Sequence, residues 1–415
     1  MRHRARGAVA AAVLTLVGCA GSGSGVDPSP TAALDARALE GDRFIEELLL
    51  RDPRLAPIAA RAAEHRLQVL VSEVGRDERG RESLRRHGFR VDAEYFYPAS
   101  SIKTCAAVAA PAFLRALSPE LPPALDTPLV FEPLDEVGQR EDADPSDLRT
   151  GRINVAHELR KLFLVSDNRA FNRLYELVGH RELNEAMWRA GLSSVRIRHR
   201  LAETRTSGEQ RRTPRILVSP PGREPLVVPE RASTLELPVE DLPGLDCGTA
   251  WVTNGGERRE EPFDFRGRNR ISLRDLQELH VALLRPELSR ASLDLTDDER
   301  AFLVRAMREF PRESTNPVYD PADYPDEYSK LMLPGLRRVV PAERLGVYDK
   351  VGRAYGFSLV NAFVVDDGTG RSFFVTAVVY VNPNGTLNDG VYGYDEADRF
   401  LEDLGEVLAR RLLVE

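Results

Sequence analysis

Phe96-Tyr97-Pro98-Ala99-Ser100-Ser101-Ile102-Lys103 stands where one kind of sequence pattern gives way to another. Before it, Leu67 to Val74 is a continuous apolar run of strand length, and Arg76-Asp77-Glu78-Arg79-Gly80 reads as a turn. With Phe89 to Tyr97 as a second strand candidate, a hairpin is expected to deliver the chain to Ser100. After it, Cys105, Ala106, Val108, Ala109, Phe113 and Leu114 recur at helical spacing, which predicts a buried helix ending near Ser118-Pro119. Further along, Asn154 is placed to cap a helix from Val155 to Leu164. Val165 to Arg169 breaks it, Phe171 to Val178 forms another that stops at Gly179, and Glu182 to Ala190 one more. Helical spacing also marks 33–65 and Leu273 to Leu284.

The C-terminal third predicts three strands, Gly346 to Val351, Gly356 to Val365 and Phe373 to Val381, the last two joined by the hairpin signal Asp366-Asp367-Gly368-Thr369-Gly370. An amphipathic helix, Asp395 to Leu413, then closes the chain. Two early strands, three late ones and helices between them predict one antiparallel sheet built from both ends of the chain. Leu121 to Thr150 is proline-rich and acidic. Arg200 to Arg268 carries many prolines and charges with only short apolar runs, so both stretches read as excursions from the main body.

The 415 residues are 42% hydrophobic and 29% charged, a composition that supplies a folded core rather than disorder. The net charge is -8 and arginines are interspersed with acids, so there is no electrostatic footprint for nucleic acid. The seven histidines form no His-x-x-x-His pair, no Cys-x-x-Cys occurs and no glycine-rich phosphate loop is present; no metal or cofactor is expected. At the N-terminus, Arg2, Arg4 and Arg6 precede a short apolar run from Ala8 to Val17 that closes on Leu16-Val17-Gly18-Cys19. The run is too short for a stable membrane span. Cys105 and Cys247, far apart in sequence, are expected to be unpaired.

Only four of the 57 basic residues are lysine: Lys103, Lys161, Lys330 and Lys350. Arginine stays charged at any working pH, whereas a lysine amine loses its proton when desolvated or set beside another cation. Lys161 and Lys330 read as survivors of a drift toward arginine. Lys103 lies three residues after Ser100, a spacing that puts hydroxyl and amine on one helical face, where a neutral amine can draw the serine proton. Ser166-Asp167-Asn168 follows at the break between two helices, and Lys350-Val351-Gly352 ends a predicted strand, where a glycine permits close approach beside a cation.

In order, spacing and setting these three motifs resemble those of the penicillin-recognising serine hydrolases, most closely the class A β-lactamases. The similarity runs from about Leu67 to the C-terminus. It implies an α+β fold of the β-lactamase and transpeptidase kind: a five-stranded antiparallel sheet flanked by N- and C-terminal helices, beside an all-helical part over about 100–285 that holds the long insertion 200–268. It also implies that Ser100 attacks a carbonyl and is acylated, with Lys103 as base or proton relay. Ser166 passes a proton to the departing nitrogen, Asn168 holds Lys103 and the substrate amide, and Lys350 supplies positive potential. Gly352 and Arg353 belong to the substrate side, with the backbone N–H groups of Ser100 and Arg353 as oxyanion donors. The N-terminus resembles a bacterial lipoprotein signal over 1–18, with Cys19 lipidated, a flexible linker over 19–33 and the hydrolase domain over 34–415.

The family pattern is departed from at three positions. Val351 replaces the usual hydroxyl or small polar residue between lysine and glycine, and Ala354 replaces a later glycine. The register through Gly191-Leu192-Ser193-Ser194-Val195-Arg196-Ile197-Arg198-His199 puts Leu201 where a deacylating glutamate is expected, with Glu203 two residues on. The resemblance thus implies an exported, membrane-anchored serine hydrolase acting on a β-lactam or a related cyclic or peptide amide. A cell-wall carboxypeptidase or esterase, and a lipoprotein that binds penicillin or wall peptide without turnover, are the alternatives.

Overall fold

The computed structural model describes residues 42–134 and 138–415. The expectations for 1–33, including the signal, Cys19 and the linker, lie outside the described residues. The main sheet is assembled from β1 (Gln68–Arg76), β2 (Glu82–Phe89), β3 (Leu345–Asp349), β4 (Gly352–Ala354), β5 (Phe357–Asp366) and β6 (Ser372–Tyr380). The order is β3-β5-β6-β1-β2, all antiparallel, and β4 also pairs with β5. Both ends of the chain therefore meet in one sheet.

Six strands, not five, make this sheet, because the expected strand from Gly346 to Val351 is broken. β3 runs along Ala362 to Asp366 of β5 and β4 along Phe357 to Leu359, with Lys350-Val351 at the gap. The second hairpin strand also differs: it is Glu82–Phe89, ending where the expected strand began, and 90–97 has no strand pairing. Glu82-Ser83-Leu84-Arg85-Arg86 carries no apolar alternation because β2 is the sheet edge, where solvated charges guard against further pairing.

Among the described residues the α-helices of eight residues or more are α1 (Phe44–Arg51), α2 (Lys103–Ala116), α3 (Val155–Leu164), α4 (Asn168–Val178), α5 (His180–Arg189), α6 (Leu273–Leu284), α7 (Asp297–Arg308) and α8 (Tyr394–Ala409). α4 begins three residues earlier than its apolar spacing suggested because Asp167 caps it, accepting from the Ala170 N–H at 2.8 Å. α7 starts in a capping box formed by Thr296 and Glu299.

One face of the sheet presents Val69, Val71, Val360, Ala362, Val364, Val375, Ala377 and Val379 to a core shared with Ile45 and Leu49 of α1 and Leu401, Leu404 and Leu408 of α8. The other face meets α6. There Ser72 donates to Gln277 at 2.5 Å, Gln277 to the Leu70 carbonyl at 2.9 Å, Thr376 to Asn361 at 2.7 Å and Asn361 to the Leu276 carbonyl at 2.7 Å. A fully bonded buried network of this kind fixes the rotation of α6 on the sheet.

The stretch 200–268 is more ordered than its composition suggests. Ile216–Val218 pairs with both Leu226–Val228 and Leu129–Phe131, and Ala250–Val252 pairs with Arg258–Arg259 and with Thr386–Leu387. Ladders of two or three residues are too short to leave a readable alternation. Cys105 and Cys247 are both free and buried.

Candidate active site

Ser100 lies in a 3-10 turn, Ala99–Ile102, that leads directly into α2, and it is half-buried. Ala99 is held at φ 46° and Ser166 at φ 57°, left-handed conformations that cost an L-residue about 1–2 kcal/mol each and persist only where the surroundings enforce them. One of those surroundings is β4. A Cβ added at Gly352 would stand 2.5 Å from the Pro98 carbonyl oxygen and 2.8 Å from Leu359 Cδ2, so only glycine lets this strand close on the turn that carries Ser100.

The three motifs converge. Lys103 Nζ donates to Asn168 Oδ1 at 2.7 Å, to Ser166 Oγ at 3.3 Å and to the Ser166 carbonyl. Lys350 Nζ, arriving from the broken sheet edge, donates to the same Ser166 Oγ at 2.8 Å and to the Val351 carbonyl at 2.9 Å. The Ser166 hydroxyl thus bridges the two amines. The expected hydrogen bond between Ser100 and Lys103 is not drawn: among the described residues Ser100 Oγ has no hydrogen-bond partner, and Lys103 is turned to Ser166 and Asn168. The physical reason is the left-handed Ser166, which aims both its carbonyl and its hydroxyl at the amine.

Both lysines are fully buried. Burial, then the charge of Lys350, holds the Lys103 pKa well below the ordinary lysine range, against a weaker opposing pull from Asp167. Burial lowers Lys350 to about 7, with Asp349 opposing and Lys330 adding to the fall. Asp349, buried between opposing influences, is pushed up to about 7 by burial, against the charges of Lys330 and Lys350. His280 on α6 is also buried and driven down to about 3 by burial and then by Lys350, so it is neutral.

All four lysines of the chain are buried, Lys161 and Lys330 included. Lys330 donates to the Met307 and Val347 carbonyls at 2.6 and 2.9 Å, beneath the edge strand that carries Lys350. Lys161 is paired with Asp144, and with Glu158 at 3.1 Å. Drift toward arginine did not anticipate that both would be buried with specific partners, a setting where a lysine amine serves as a compact donor.

The remaining site residues divide. Asn168 and Gly352 join the cluster, but the Arg353 guanidinium pairs with Asp398 and lies over the Tyr394 ring at 4.9 Å, both on α8. Val351 packs into the main core, so its isopropyl group belongs to the sheet interior. Asn172, one turn after Asn168, was not singled out in the sequence reading. Its Oδ1 accepts from Leu201 N–H and its Nδ2 donates to Leu201 O, both at 2.9 Å, and Nδ2 also reaches Glu203 Oε1 at 2.9 Å. Leu201 is therefore pinned through both backbone groups, while the Glu203 carboxylate is held by Asn172 and by Arg205 at 2.7 Å. Among the described residues no group of acids, histidines and cysteines is arranged to hold a metal ion.

Residues 63–220 match the model of the Beta-lactamase enzyme family. That span contains Ser100, Lys103, Ser166, Asn168 and Asn172. No curated protein matches the chain in sequence. Among solved structures, a β-lactamase from Burkholderia vietnamiensis is similar at 16% identity and a TM-score of 0.47, over 87% of this chain and 96% of that one. The β-lactamase from Streptomyces albus G is similar at 17% identity and a TM-score of 0.47, over 90% and 99%. One from Desulfarculus baarsii is similar at 18% and 0.46, over 86% and 96%. Over the stretch that holds Ser100, Lys103, Ser166 and Asn168, the chain is similar to the Beta-lactamase enzyme family.

Proposed function

We propose that Ser100 is the nucleophile of an acyl-enzyme pathway acting on a β-lactam or a related cyclic or peptide amide. The observation that carries this is the Ser166 hydroxyl held between two buried amines, Lys103 at 3.3 Å and Lys350 at 2.8 Å. In acylation the Ser100 Oγ–C bond forms while Lys103 takes the hydroxyl proton. The C–N bond then breaks, and the proton reaches the departing nitrogen through Ser166. Asn168 orients Lys103, Lys350 supplies positive potential, and the N–H groups of Ser100 and Arg353 face the developing oxyanion. The basic and apolar pattern of residues 2–19 supports export with a lipid anchor on Cys19.

Release is a separate matter, and the segment pinned by Asn172 favours a slow one. The position where register expects a water-activating carboxylate is the buried Leu201, and Glu203 already carries hydrogen bonds from Asn172 and Arg205. Without a free base for water the acyl group persists, which is penicillin-binding rather than penicillin-destroying behaviour. The test is to incubate the protein with a fluorescent penicillin and follow intact mass. A lasting adduct that Ser100→Ala abolishes is the expected result. A transient adduct means turnover, and an adduct that survives in Ser100→Ala removes this residue as the nucleophile.

A further inference from the structure

A cavity of about 580 Å³ is not lined by Ser100 but adjoins its segment: Tyr97 and Tyr355 form part of its wall, with ring centroids 5.2 Å apart. Tyr97 precedes Ser100 by three residues, and Tyr355 follows Arg353 by two. The other walls come from the segment that Asn172 pins and from the 200–268 excursion, and they bring five arginines: Arg198, Arg200, Arg205, Arg211 and Arg268.

Among the described residues, two of these have no acid within ion-pair reach. Arg198 donates only to carbonyls, Leu237 at 3.1 Å and Pro238 at 2.6 Å, and its Nε is buried without a partner. Arg268 lies over the Phe263 and Tyr355 rings at 5.1 and 5.9 Å and, among the described residues, has no carboxylate within ion-pair reach. Arg200 and Arg205 are matched by Glu176 and Glu203 at 2.8 and 2.7 Å, and Arg211 meets the exposed Glu236 only at 3.4 Å. His180 and His199, both pushed down to about 4 by burial and then by surrounding arginines, add no charge of their own at neutral pH. A cavity with unneutralised guanidinium groups on its wall is electrostatically incomplete, and the planar fork of arginine suits carboxylate and phosphate oxygens.

We propose that this cavity takes an anionic oxygen group of the substrate, a carboxylate or a phosphate, so that the amide acylating Ser100 carries an acidic substituent on the side facing Tyr97 and Tyr355. This rests on the reading of Ser100 as nucleophile. The substituent is bound by Arg268 and Arg198, and its burial there positions the carbonyl at Ser100.

The binding test uses the full chain carrying Ser100→Ala, which forms no acyl-enzyme, titrated calorimetrically with citrate and with inorganic phosphate at low and physiological salt. One equivalent of anion is expected, with affinity falling about tenfold in Arg268→Gln and in Arg198→Gln and only partly restored in Arg268→Lys, which keeps the charge without the fork. Citrate binding alone identifies a carboxylate, phosphate binding alone a phosphate, and binding of both the shared anion chemistry. Binding of neither, or binding unchanged in both glutamine variants, overturns the proposal. In the unsubstituted protein, two thioester substrates differing only in a carboxylate or a carboxamide on the acyl side chain link the cavity to the reaction. The carboxylate substrate is expected to acylate about tenfold faster, an advantage lost in Arg268→Gln. Equal rates for the two overturn the cavity as a substrate subsite. If neither acylates, the nucleophile reading fails, while the titration still decides whether the cavity binds anions.

Discussion

In the proposed pathway the lysine that takes a proton must be neutral while the lysine that holds an anion stays charged, and the surroundings of Lys103 and Lys350 differ in that sense. Both are desolvated and each has an acid opposing the fall, but for Lys350 the pull of Asp349 ranks next after burial, whereas for Lys103 the pull of Asp167 ranks behind the repulsion from Lys350. Neutral Lys103 accumulates as pH rises through its depressed pKa, far below the ordinary 10.5; charged Lys350 disappears as pH rises through about 7. Acylation of Ser100 is therefore expected to show a bell-shaped pH profile with its alkaline limb near neutrality, measured with a chromogenic penicillin under single-turnover conditions. Lys103→Met removes the titratable amine at similar size and adds no charge to the buried site. It is expected to slow acylation by ~10²–10⁴-fold, the usual worth of general-base catalysis, with no matching loss of thermal stability.

The broken sheet edge sets up two predictions of its own. Gly352→Ala places a methyl group 2.5 Å from the Pro98 carbonyl, and backbone there cannot rotate away. The expected cost is about 1–3 kcal/mol in urea unfolding, with a fall in acylation because the turn bearing Ser100 must shift. Asp349→Asn removes the carboxylate that raises the Lys350 pKa, so that pKa drops further and the alkaline limb of the acylation profile moves to lower pH. An unmoved limb would detach Lys350 from the profile. This edge also shows what a sequence can and cannot disclose. The inner strands were legible because Phe357 to Val364 and Phe373 to Val379 are buried on both faces and read as continuous apolar runs. The gap at Lys350-Val351 was not, since it arises from a backbone that leaves one ladder and joins another. Ser100, Lys103, Ser166 and Lys350 stood out through residue type and spacing. Asn172 and the arginine-lined cavity did not, because they depend on the path of 200–268, whose ladders span only two or three residues.

At the scale of the whole molecule, the acidic excursion before α3 is fastened to the helical part by buried charge. Arg173 meets Glu158 at 2.8 Å, Asp144 at 3.0 Å and Glu141 at 3.1 Å, and Lys161 meets Asp144 and Glu158 from the other side. Removing one partner from such a network strands the others, so Lys161→Met is expected to lose about 3–5 kcal/mol although it adds apolar surface. Asp147 extends the fastening: its carboxylate accepts from Thr150 at 2.6 Å, Asn154 at 2.8 Å and Asn316 at 2.8 Å, which joins the excursion to the α3 cap and to the loop after α7. Burial alone would raise its pKa, but these donors outweigh burial and hold it at about 2. The folded form thus binds fewer protons than the unfolded form between the ordinary 3.8 and about 2. This contribution is fully present above that window and is lost as pH falls through it. Asp147→Asn cannot be protonated and leaves Asn154 and Asn316 facing an amide instead of a carboxylate. Chemical unfolding followed from pH 5 to pH 2 should therefore show a lower stability at the upper end and a shallower fall toward acid than in the unsubstituted chain. Parallel curves in the two proteins would mean that the excursion is held by its other ion pairs alone.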